Sequence, residues 1–145
     1  MEIRLGRPED YPAAMELIAE FAEESLSEYG VYLESEMLQK TFDAVYKTSF
    51  CAVVDGRVIG VLAGQVVTDN CSSLLVYQEI VWYVNKRYRK YGLRLRKHVE
   101  DWCREQKINR MIMSAMHNSK TEKLFSFYER LGFRPQETKF VKELD

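Results

Sequence analysis

The sequence is poor in the residues that build metal sites and disulfide frameworks. Its 145 residues include three cysteines and two histidines. Cys51, Cys71 and Cys103 lie too far apart for the usual ligand spacing of a zinc site. An odd, sparse set of cysteines is typical of reduced thiols rather than of a disulfide-bonded secreted protein. We therefore expect no metal and a cytoplasmic location.

Long apolar runs and a strong net charge are absent as well. No run approaches the roughly 20 residues that a membrane-spanning helix needs, and the first residues lack the basic-then-apolar form of a signal peptide. The net charge is -1 and 46% of the residues are hydrophobic, which is ordinary for a globular protein. We expect a single domain over residues 1–145 and no membrane association.

The residue pattern predicts a mixed α/β fold. Strands are predicted over residues 2–5, 50–54, 58–67, 74–84 and 110–116, with a return to strand from Phe133. Helices are predicted over about 11–27 and 35–47, from Gly92 to about 107, and from Ser119 to Gly132. Asp55-Gly56 is a strong hairpin signal, so the middle strands should be antiparallel. The two strands that flank the third helix should run parallel through a right-handed crossover.

A basic, glycine-containing turn connects the predicted strand Glu79–Val84 to a helix. The turn reads Arg89-Lys90-Tyr91-Gly92-Leu93-Arg94. The first N–H groups of a helix have no intrahelical partner and carry the positive end of the helix dipole. Such a helix start binds phosphate groups. Ligands of α/β sheets also bind beyond the carboxyl ends of parallel strands, which is where this turn falls.

The element order, the segment from Tyr83 to Gly92 and the segment Phe127-Tyr128-Glu129-Arg130-Leu131-Gly132-Phe133 together resemble the GNAT superfamily of N-acetyltransferases. The resemblance implies a mixed, mostly antiparallel sheet of about seven strands, about four flanking helices and a splayed parallel pair at the centre. It also implies an enzyme that moves an acetyl group from acetyl-CoA to a primary amine. The acceptor would be a small molecule or a protein, attacked directly in a ternary complex. The sequence leaves open a longer acyl group.

The family's phosphate loop has the pattern Gln/Arg-x-x-Gly-x-Gly/Ala, and this chain follows it only in part. Arg89 and Gly92 match, whereas Arg94 stands where a small residue is usual. In this respect the loop is similar to those of phage-encoded and prophage-like members. The departure leaves open an acyl-CoA-binding or interaction module that has lost catalysis. By resemblance, the pyrophosphate and pantetheine contacts would come from the following residues: Trp82, Val84, Arg89, Lys90, Tyr91, Gly92, Leu93 and Arg94.

The resemblance also implies two catalytic residues. Glu79 would take the proton from the acceptor amine, and Tyr128 would protonate the departing thiolate. The alternatives are a Glu79 that faces solvent or pairs with a lysine, and a Tyr128 that is simply a core residue. The family often has an asparagine seven residues before this tyrosine. Thr121 stands there instead and Asn118 lies about one turn earlier, so both are candidate cofactor-binding residues.

Three charged or alternating segments bear on partners. The run from Lys86 to Lys97 contains seven Lys or Arg residues and could bind nucleic acid, although the slightly acidic chain weighs against it. The tail over residues 139–144 alternates like an edge strand and could pair two subunits as a homodimer. In this family the first two helices usually line the acceptor cleft. Here they carry glutamates that would favour a cationic amine, namely Glu20, Glu23, Glu24, Glu28, Glu34 and Glu36.

Overall fold

The computed structural model describes residues 1–26, 33–116 and 120–144. The chain divides into two compact units, Met1–Ser114 and Ala115–Asp145. The single domain expected over residues 1–145 stays a prediction. None of the helices in the described ranges is both long and apolar enough to cross a lipid bilayer.

The first unit contains a five-stranded sheet and three α-helices. The strands are β1 (Glu2–Leu5), β2 (Phe50–Val54), β3 (Arg57–Thr68), β4 (Leu75–Val84) and β5 (Arg110–Ile112). The helices are α1 (Tyr11–Phe21), α2 (Ser35–Val45) and α3 (Gly92–Glu105). The sheet order is β1-β2-β3-β4-β5. All pairs are antiparallel except β4 with β5, which are parallel. The prediction of a mixed, mostly antiparallel sheet is confirmed.

Two details of the predicted sheet are wrong. The sheet of the described residues has five strands rather than about seven, and its parallel pair lies at the edge rather than at the centre. Both differences follow from the C-terminal segment, because residues 134–144 form no strand and all of them are exposed. Phe140 keeps 94% of its surface exposed. Alternation alone does not form a strand where the apolar side chains have no surface to bury against.

The helical predictions hold within a few residues. The predicted helix over about 11–27 is observed as α1 followed by a π-helical turn over Ala22–Leu26. Gly30, which follows the predicted end of this helix, lies outside the described residues. The hairpin between β2 and β3 turns at Asp55 and Gly56 with φ values of 50° and 75°. Two successive positive φ angles are those of the type I′ turn that Asp-Gly favours.

Helices cover both faces of the sheet, and strand alternation assigns neighbouring side chains to opposite cores. On one face α3 buries Leu95, Val99 and Cys103 against Phe50, Ala52, Leu62, Tyr77 and Val84. On the other face α1 buries Ala14 and Leu17 against Cys51, Val53, Val61, Val81 and Tyr83. The spacing of four residues within α3 keeps its three buried positions on one helix face.

A β-bulge in β4 exchanges the two faces of that strand. The pairing with β3 passes from Ala63↔Val81 to Gly64↔Glu79 and so skips Ile80. Tyr77 therefore faces the α3 side, whereas Val81, four residues later, faces the α1 side. An extra residue on one strand of an antiparallel pair has this effect, because side-chain direction alternates with a period of two.

The second unit contains α4 (Thr121–Arg130) and the chain that follows it. Gly132 ends the helix with a φ of 90°. Its N–H donates to the Glu129 carbonyl at 3.0 Å, and the Phe133 N–H donates to the Tyr128 carbonyl at 3.0 Å. These two bonds form a Schellman motif, and the accompanying contact is between the Tyr128 and Phe133 rings, 5.5 Å apart. The Tyr-x-x-Leu-Gly-Phe pattern thus has a local structural cause.

Candidate active site

The pairing between the parallel strands β4 and β5 ends just before Glu79. The pairing of β4 with β5 covers Val76↔Arg110 to Gln78↔Ile112, while β4 itself continues to Val84. No described residue extends this parallel ladder beyond Gln78. Six residues of β4 therefore lie past the end of the pair, as expected for a splayed parallel pair.

The peptide groups of Trp82 and Val84 point away from β3. The Asn85 N–H donates to the Ile59 carbonyl at 2.9 Å, so these two residues form a hydrogen-bonded pair. Hydrogen-bonded and non-hydrogen-bonded pairs alternate along an antiparallel ladder, so Val84 and Trp82 belong to non-hydrogen-bonded pairs. Their N–H and C=O groups therefore point away from β3. The Val84 carbonyl accepts a hydrogen bond from Arg89 Nε at 2.7 Å.

Glu79 is a buried carboxylate at the point of separation. The residue is 8% exposed, so the solvent-facing alternative is wrong. Burial raises the pKa of Glu79 to about 7, although hydrogen bonds from the N–H and hydroxyl of Ser114 act in the opposite direction. Oε2 is buried and has no hydrogen-bond partner among the described residues. A carboxylate that titrates near neutral pH and keeps one oxygen unpaired can accept a proton from a ligand.

Gly92 begins α3 as predicted, but another helical segment directly precedes it. A 3₁₀ segment over Lys86–Tyr91 leads directly into α3, and the Gly92 N–H already donates to the Arg89 carbonyl. Gly92 has a helical φ of -59°. A Cβ built there would come no closer than 3.7 Å to Trp82 and 3.8 Å to Val84. Neither the backbone nor the packing of the described residues requires glycine at this position.

A cluster of polar side chains ties the loop to the end of α1. Arg89 Nη2 lies 2.6 Å from Glu24 Oε2, and its guanidinium carbon lies 5.2 Å from the centre of the Tyr83 ring. The Tyr83 hydroxyl lies 2.8 Å from a Glu24 carboxylate oxygen and 3.1 Å from a Glu20 carboxylate oxygen, and it shares its one proton between them. Burial opposes ionisation of Glu24, but the bonds from Tyr83 and Arg89 outweigh it and lower the pKa. The side chain of Arg89 thus binds Glu24 and holds the loop against α1.

The remaining charges of the basic run are largely paired or exposed. Lys86 lies 3.6 Å from Glu24, and Lys97 lies 2.7 Å from Asp101. Arg96 pairs with Glu100 one helical turn away. Arg94, the departure from the family pattern, is exposed in the first turn of α3. With four of the seven basic residues beside carboxylates, the run offers less positive charge to nucleic acid than the sequence indicated.

The acidic cluster expected to attract a cationic acceptor is also partly occupied. Glu20 accepts from Asn85 Nδ2 at 3.1 Å and from the Tyr83 hydroxyl. Glu24 binds Arg89 and Lys86, and Glu36 lies 3.8 Å from Lys40. Glu28 lies outside the described residues. Three of the five described glutamates therefore have internal partners, which leaves less negative charge for an amine.

The second unit holds the other predicted residues. Tyr128 is buried in α4 and its ring lies 5.8 Å from that of Phe127. Thr121 begins α4, and its hydroxyl donates to the Met116 carbonyl at 3.2 Å. Asn118 lies outside the described residues. No group of three or more His, Cys, Asp or Glu side chains suited to a metal ion occurs in the described ranges.

Two contributors to the site have no predicted role. Ser114 follows a strand and carries no motif, yet its N–H and hydroxyl bind the candidate base. The contact of Tyr83 with Glu20 and Glu24 joins residues about 60 positions apart. The spacing of four between the two glutamates places them on one helix face, but nothing in the sequence indicates which strand that face meets.

The chain belongs to the Acetyltransferase (GNAT) family, whose family model matches residues 12–133. No curated protein sequence matches the chain. Solved structures do match it over nearly their full length, and three of them illustrate the range.

The chain is similar to a ribosomal-protein-alanine N-acetyltransferase from Brucella melitensis biovar Abortus 2308, with a TM-score of 0.77 and 18% identity over 99% of this chain and 98% of that one. It is similar to an aminoglycoside acetyltransferase from an uncultured soil metagenomic sample, with a TM-score of 0.76 and 19% identity over 99% and 96%. A Trypanosoma brucei acetyltransferase gives a TM-score of 0.70 and 21% identity over 99% of both chains. At these identities the likeness establishes the fold.

Proposed function

We propose that this chain transfers an acetyl group from acetyl-CoA to a primary amine by direct attack in a ternary complex. The observation that carries the proposal is Glu79, because its buried carboxylate stands where β4 leaves β5 and keeps one oxygen without a described partner. A buried carboxylate with a pKa of about 7 suits the removal of a proton from an ammonium group near neutral pH.

The reaction needs three proton transfers and one acyl transfer. Glu79 takes a proton from the ammonium group of the acceptor, directly or through water. The amine nitrogen then attacks the thioester carbonyl carbon, the C–S bond breaks, and Tyr128 gives its hydroxyl proton to the departing CoA thiolate. The nitrogen loses its second proton as the amide forms, and this proton passes through solvent to restore the Tyr128 hydroxyl. A backbone N–H of β4 beyond Gln78 would stabilise the oxyanion of the tetrahedral intermediate.

The loop Arg89–Arg94 would hold the pyrophosphate of acetyl-CoA. Nothing in the described residues requires glycine at position 92. A phosphate group that approaches the backbone would require a residue without a side chain there, and this supports the proposed role. Trp82 and Val84 would bind the pantetheine arm through peptide groups directed away from β3. In the same proposal, Asn118 and Thr121 are further cofactor-binding residues.

Calorimetry with acetyl-CoA tests the cofactor site. We expect wild type to bind, and Gly92→Ala to lose at least tenfold in affinity while its thermal stability is kept or raised. Glu105→Ala is the matched control, because it alters an exposed position of the same helix outside the loop. If Gly92→Ala binds as wild type does, the pyrophosphate does not use this loop.

Turnover tests the catalytic residues. In a screen of primary amines, Glu79→Gln should lower kcat by about 10²- to 10⁴-fold with acetyl-CoA affinity unchanged. Tyr128→Phe should lower kcat without unfolding α4. If both variants acetylate at the wild-type rate, the assigned roles are wrong.

A second candidate is an acyl-CoA-binding module without catalysis, favoured by Arg94 in place of a small residue. It predicts that wild type binds acetyl-CoA but acetylates no amine. It also predicts that Arg94→Gly raises the affinity without creating turnover.

A further inference from the structure

Ser114 lies two residues beyond the end of β5, beside the carboxylate of Glu79. The parallel ladder ends with the pair Gln78↔Ile112, so a continuation in the same register would place Ser114 opposite Ile80. The structure differs from such a continuation, because the N–H and the hydroxyl of Ser114 both donate to the Glu79 carboxylate. A side-chain carboxylate therefore binds a backbone donor that a longer ladder would pair with a carbonyl group.

The two carboxylate oxygens of Glu79 differ in their surroundings. Oε2 is buried and has no hydrogen-bond partner among the described residues, so both bonds from Ser114 fall on Oε1. The terminal torsion of a carboxyl group is soft, and two donors on one oxygen restrict it. Buried polar atoms nearly always have a partner. Oε2 therefore marks a position where a ligand group or a water molecule can donate a hydrogen bond.

The neighbouring strands give Glu79 no further hydrogen bond among the described residues. Gly64 of β3 stands opposite Glu79 and has no side chain to donate. A Cβ at Gly64 would lie 2.5 Å from the Tyr77 ring, so the packing of Tyr77 requires glycine there. The Tyr77 hydroxyl itself donates to the Thr48 carbonyl at 2.7 Å. In the described part of the chain, Ser114 is thus the residue that supplies the hydrogen bonds of this carboxylate.

The charged and titratable groups around Glu79 do not replace Ser114 either. Within the described ranges, no charged side chain contributes to the pKa of Glu79. Burial raises the pKa of Tyr77, on the same face of β4, and Cys103 and Glu79 act in the same direction. Burial also raises the pKa of Cys103 on α3 to about 11, so both neighbours are neutral near pH 7. The bonds from Ser114 are therefore the interaction that favours the ionised form of Glu79.

We propose that Ser114 is a positioning residue for acetyl transfer. It holds Glu79 by Oε1, favours the ionised carboxylate and leaves Oε2 to take the proton of the acceptor amine. This inference rests on the proposed acetyltransferase function for its role in catalysis, whereas the bond to the carboxylate can be measured without acetyl-CoA. Hydrogen bonds to an ionised carboxyl group lower its pKa. Without the Ser114 hydroxyl, Glu79 should stay protonated to a higher pH and act as a base over a narrower pH range.

Titration of the Glu79 carboxyl carbon by NMR tests this contact in the absence of acetyl-CoA. In protein that is isotope-labelled at its glutamate carboxyl carbons, the Glu79 resonance is the one that Glu79→Gln removes. Ser114→Ala keeps the N–H and removes the hydroxyl, and it should raise the titration midpoint by about half a pH unit or more. Because Ser114 is exposed, the variant should fold as wild type does.

Two further variants are the controls for the titration. Ser114→Thr restores a hydroxyl and should return the midpoint to the wild-type value. Ser73→Ala makes the same change at an exposed position between β3 and β4 and should leave the midpoint unchanged. An unchanged midpoint in Ser114→Ala, or an equal shift in Ser73→Ala, would overturn the proposal.

The pH dependence of turnover extends the test to catalysis. For a primary amine that wild type acetylates, the acid limb of kcat/KM should lie at higher pH in Ser114→Ala, by the same interval as the titration midpoint. A shift of about half a pH unit corresponds to a loss of about threefold below the midpoint. Well above it, where Glu79 is ionised in both proteins, kcat/KM should agree with wild type, and Ser114→Thr should restore the whole profile. A loss that is uniform over the pH range would contradict the proposed role.

The two measurements separate this inference from the proposed function. A shifted carboxyl titration in a protein that acetylates no amine would mean that the contact is real and that the acetyltransferase proposal, with the catalytic role of Ser114, fails. Acetylation with an acid limb that Ser114→Ala does not move would mean that the enzyme is real and that Ser114 has no positioning role.

Discussion

At the scale of single residues, Glu79 shows how position in the sheet decides chemistry. The sequence places a glutamate on a strand, which is common and usually means a solvated side chain. Here the fold leaves Glu79 only 8% exposed, and the N–H and hydroxyl of Ser114 bond to it. A buried carboxyl is harder to ionise than an exposed one, so its effect on the stability of the protein should depend on pH.

The direction of this dependence follows from the two titrations. The pKa of Glu79 is about 7 in the folded protein, against 4.5 as its ordinary value, so the folded state binds the proton more tightly. The free energy of unfolding should therefore fall as the pH rises from about 4.5 to about 7, and stay level above. Relative to wild type, the free energy of unfolding of Glu79→Gln should therefore increase across this window, by up to roughly 3 kcal/mol.

Urea denaturation from pH 4 to pH 8 measures this difference. Glu105→Gln, at an exposed position of α3, is the control and should follow wild type at every pH. A gap between wild type and Glu79→Gln that stays constant over the window would contradict the assignment of a raised pKa to this residue.

At the scale of elements, the contact between the end of α1 and the loop after β4 is the least expected feature. Glu20 and Glu24 are one turn apart, and both bind the Tyr83 hydroxyl. Glu24 also binds Arg89, whose Nε is bonded to the Val84 carbonyl. One helix face thereby holds the loop that precedes α3, and the loop geometry depends on α1.

Removal of Glu24 should weaken this contact measurably. Glu24→Ala should lower the free energy of unfolding by about 1 kcal/mol, because its partners Arg89 and Lys86 are largely exposed and Tyr83 keeps Glu20 as an acceptor. Glu23→Ala, at the exposed neighbouring position, should change it by less than about 0.5 kcal/mol. Chemical denaturation of the two variants gives the comparison, and equal effects would mean that the cluster does not stabilise the fold.

The Schellman motif that ends α4 provides a second prediction at this scale. Gly132→Ala places a Cβ at a φ of 90°, which should cost about 1–2 kcal/mol. The loss should appear as faster hydrogen exchange of the Gly132 and Phe133 amides, whose bonds define the motif. Ser126→Ala, on the exposed side of the same helix, should leave both rates unchanged. Slow exchange retained in Gly132→Ala would show that the cap does not hold the helix end.

At the scale of the whole molecule, the exposed tail bears on oligomeric state. Phe140, Val141 and Leu144 are 94%, 74% and 84% exposed, and isolated apolar residues of this kind can pair with another chain as an edge strand. If the tail joins two subunits, sedimentation should show a dimer for wild type and a monomer for Val141→Pro, since proline removes a ladder donor. Lys142→Ala, which keeps that donor, should sediment as wild type does. An identical mass for wild type and Val141→Pro would exclude tail pairing.

The sequence by itself determined the local structure and the family. The apolar periods, the Asp55-Gly56 turn and Gly132 act within a few residues, so helices, hairpin and helix end were predicted nearly where they occur. The segments that contain Gly92 and Tyr128 are each contiguous in the chain, so the resemblance to the family was visible in the sequence alone.

Only the tertiary structure decided which side chains meet. The bonds of Ser114 to Glu79 and the binding of Arg89 by Glu24 join residues from distant parts of the chain. The last strand was predicted and did not form. An alternating pattern shows which residues share an apolar face, but it does not show whether another part of the protein can bury that face. A one-residue bulge at Ile80 likewise changed which face of β4 each side chain occupies, and no local propensity marks it.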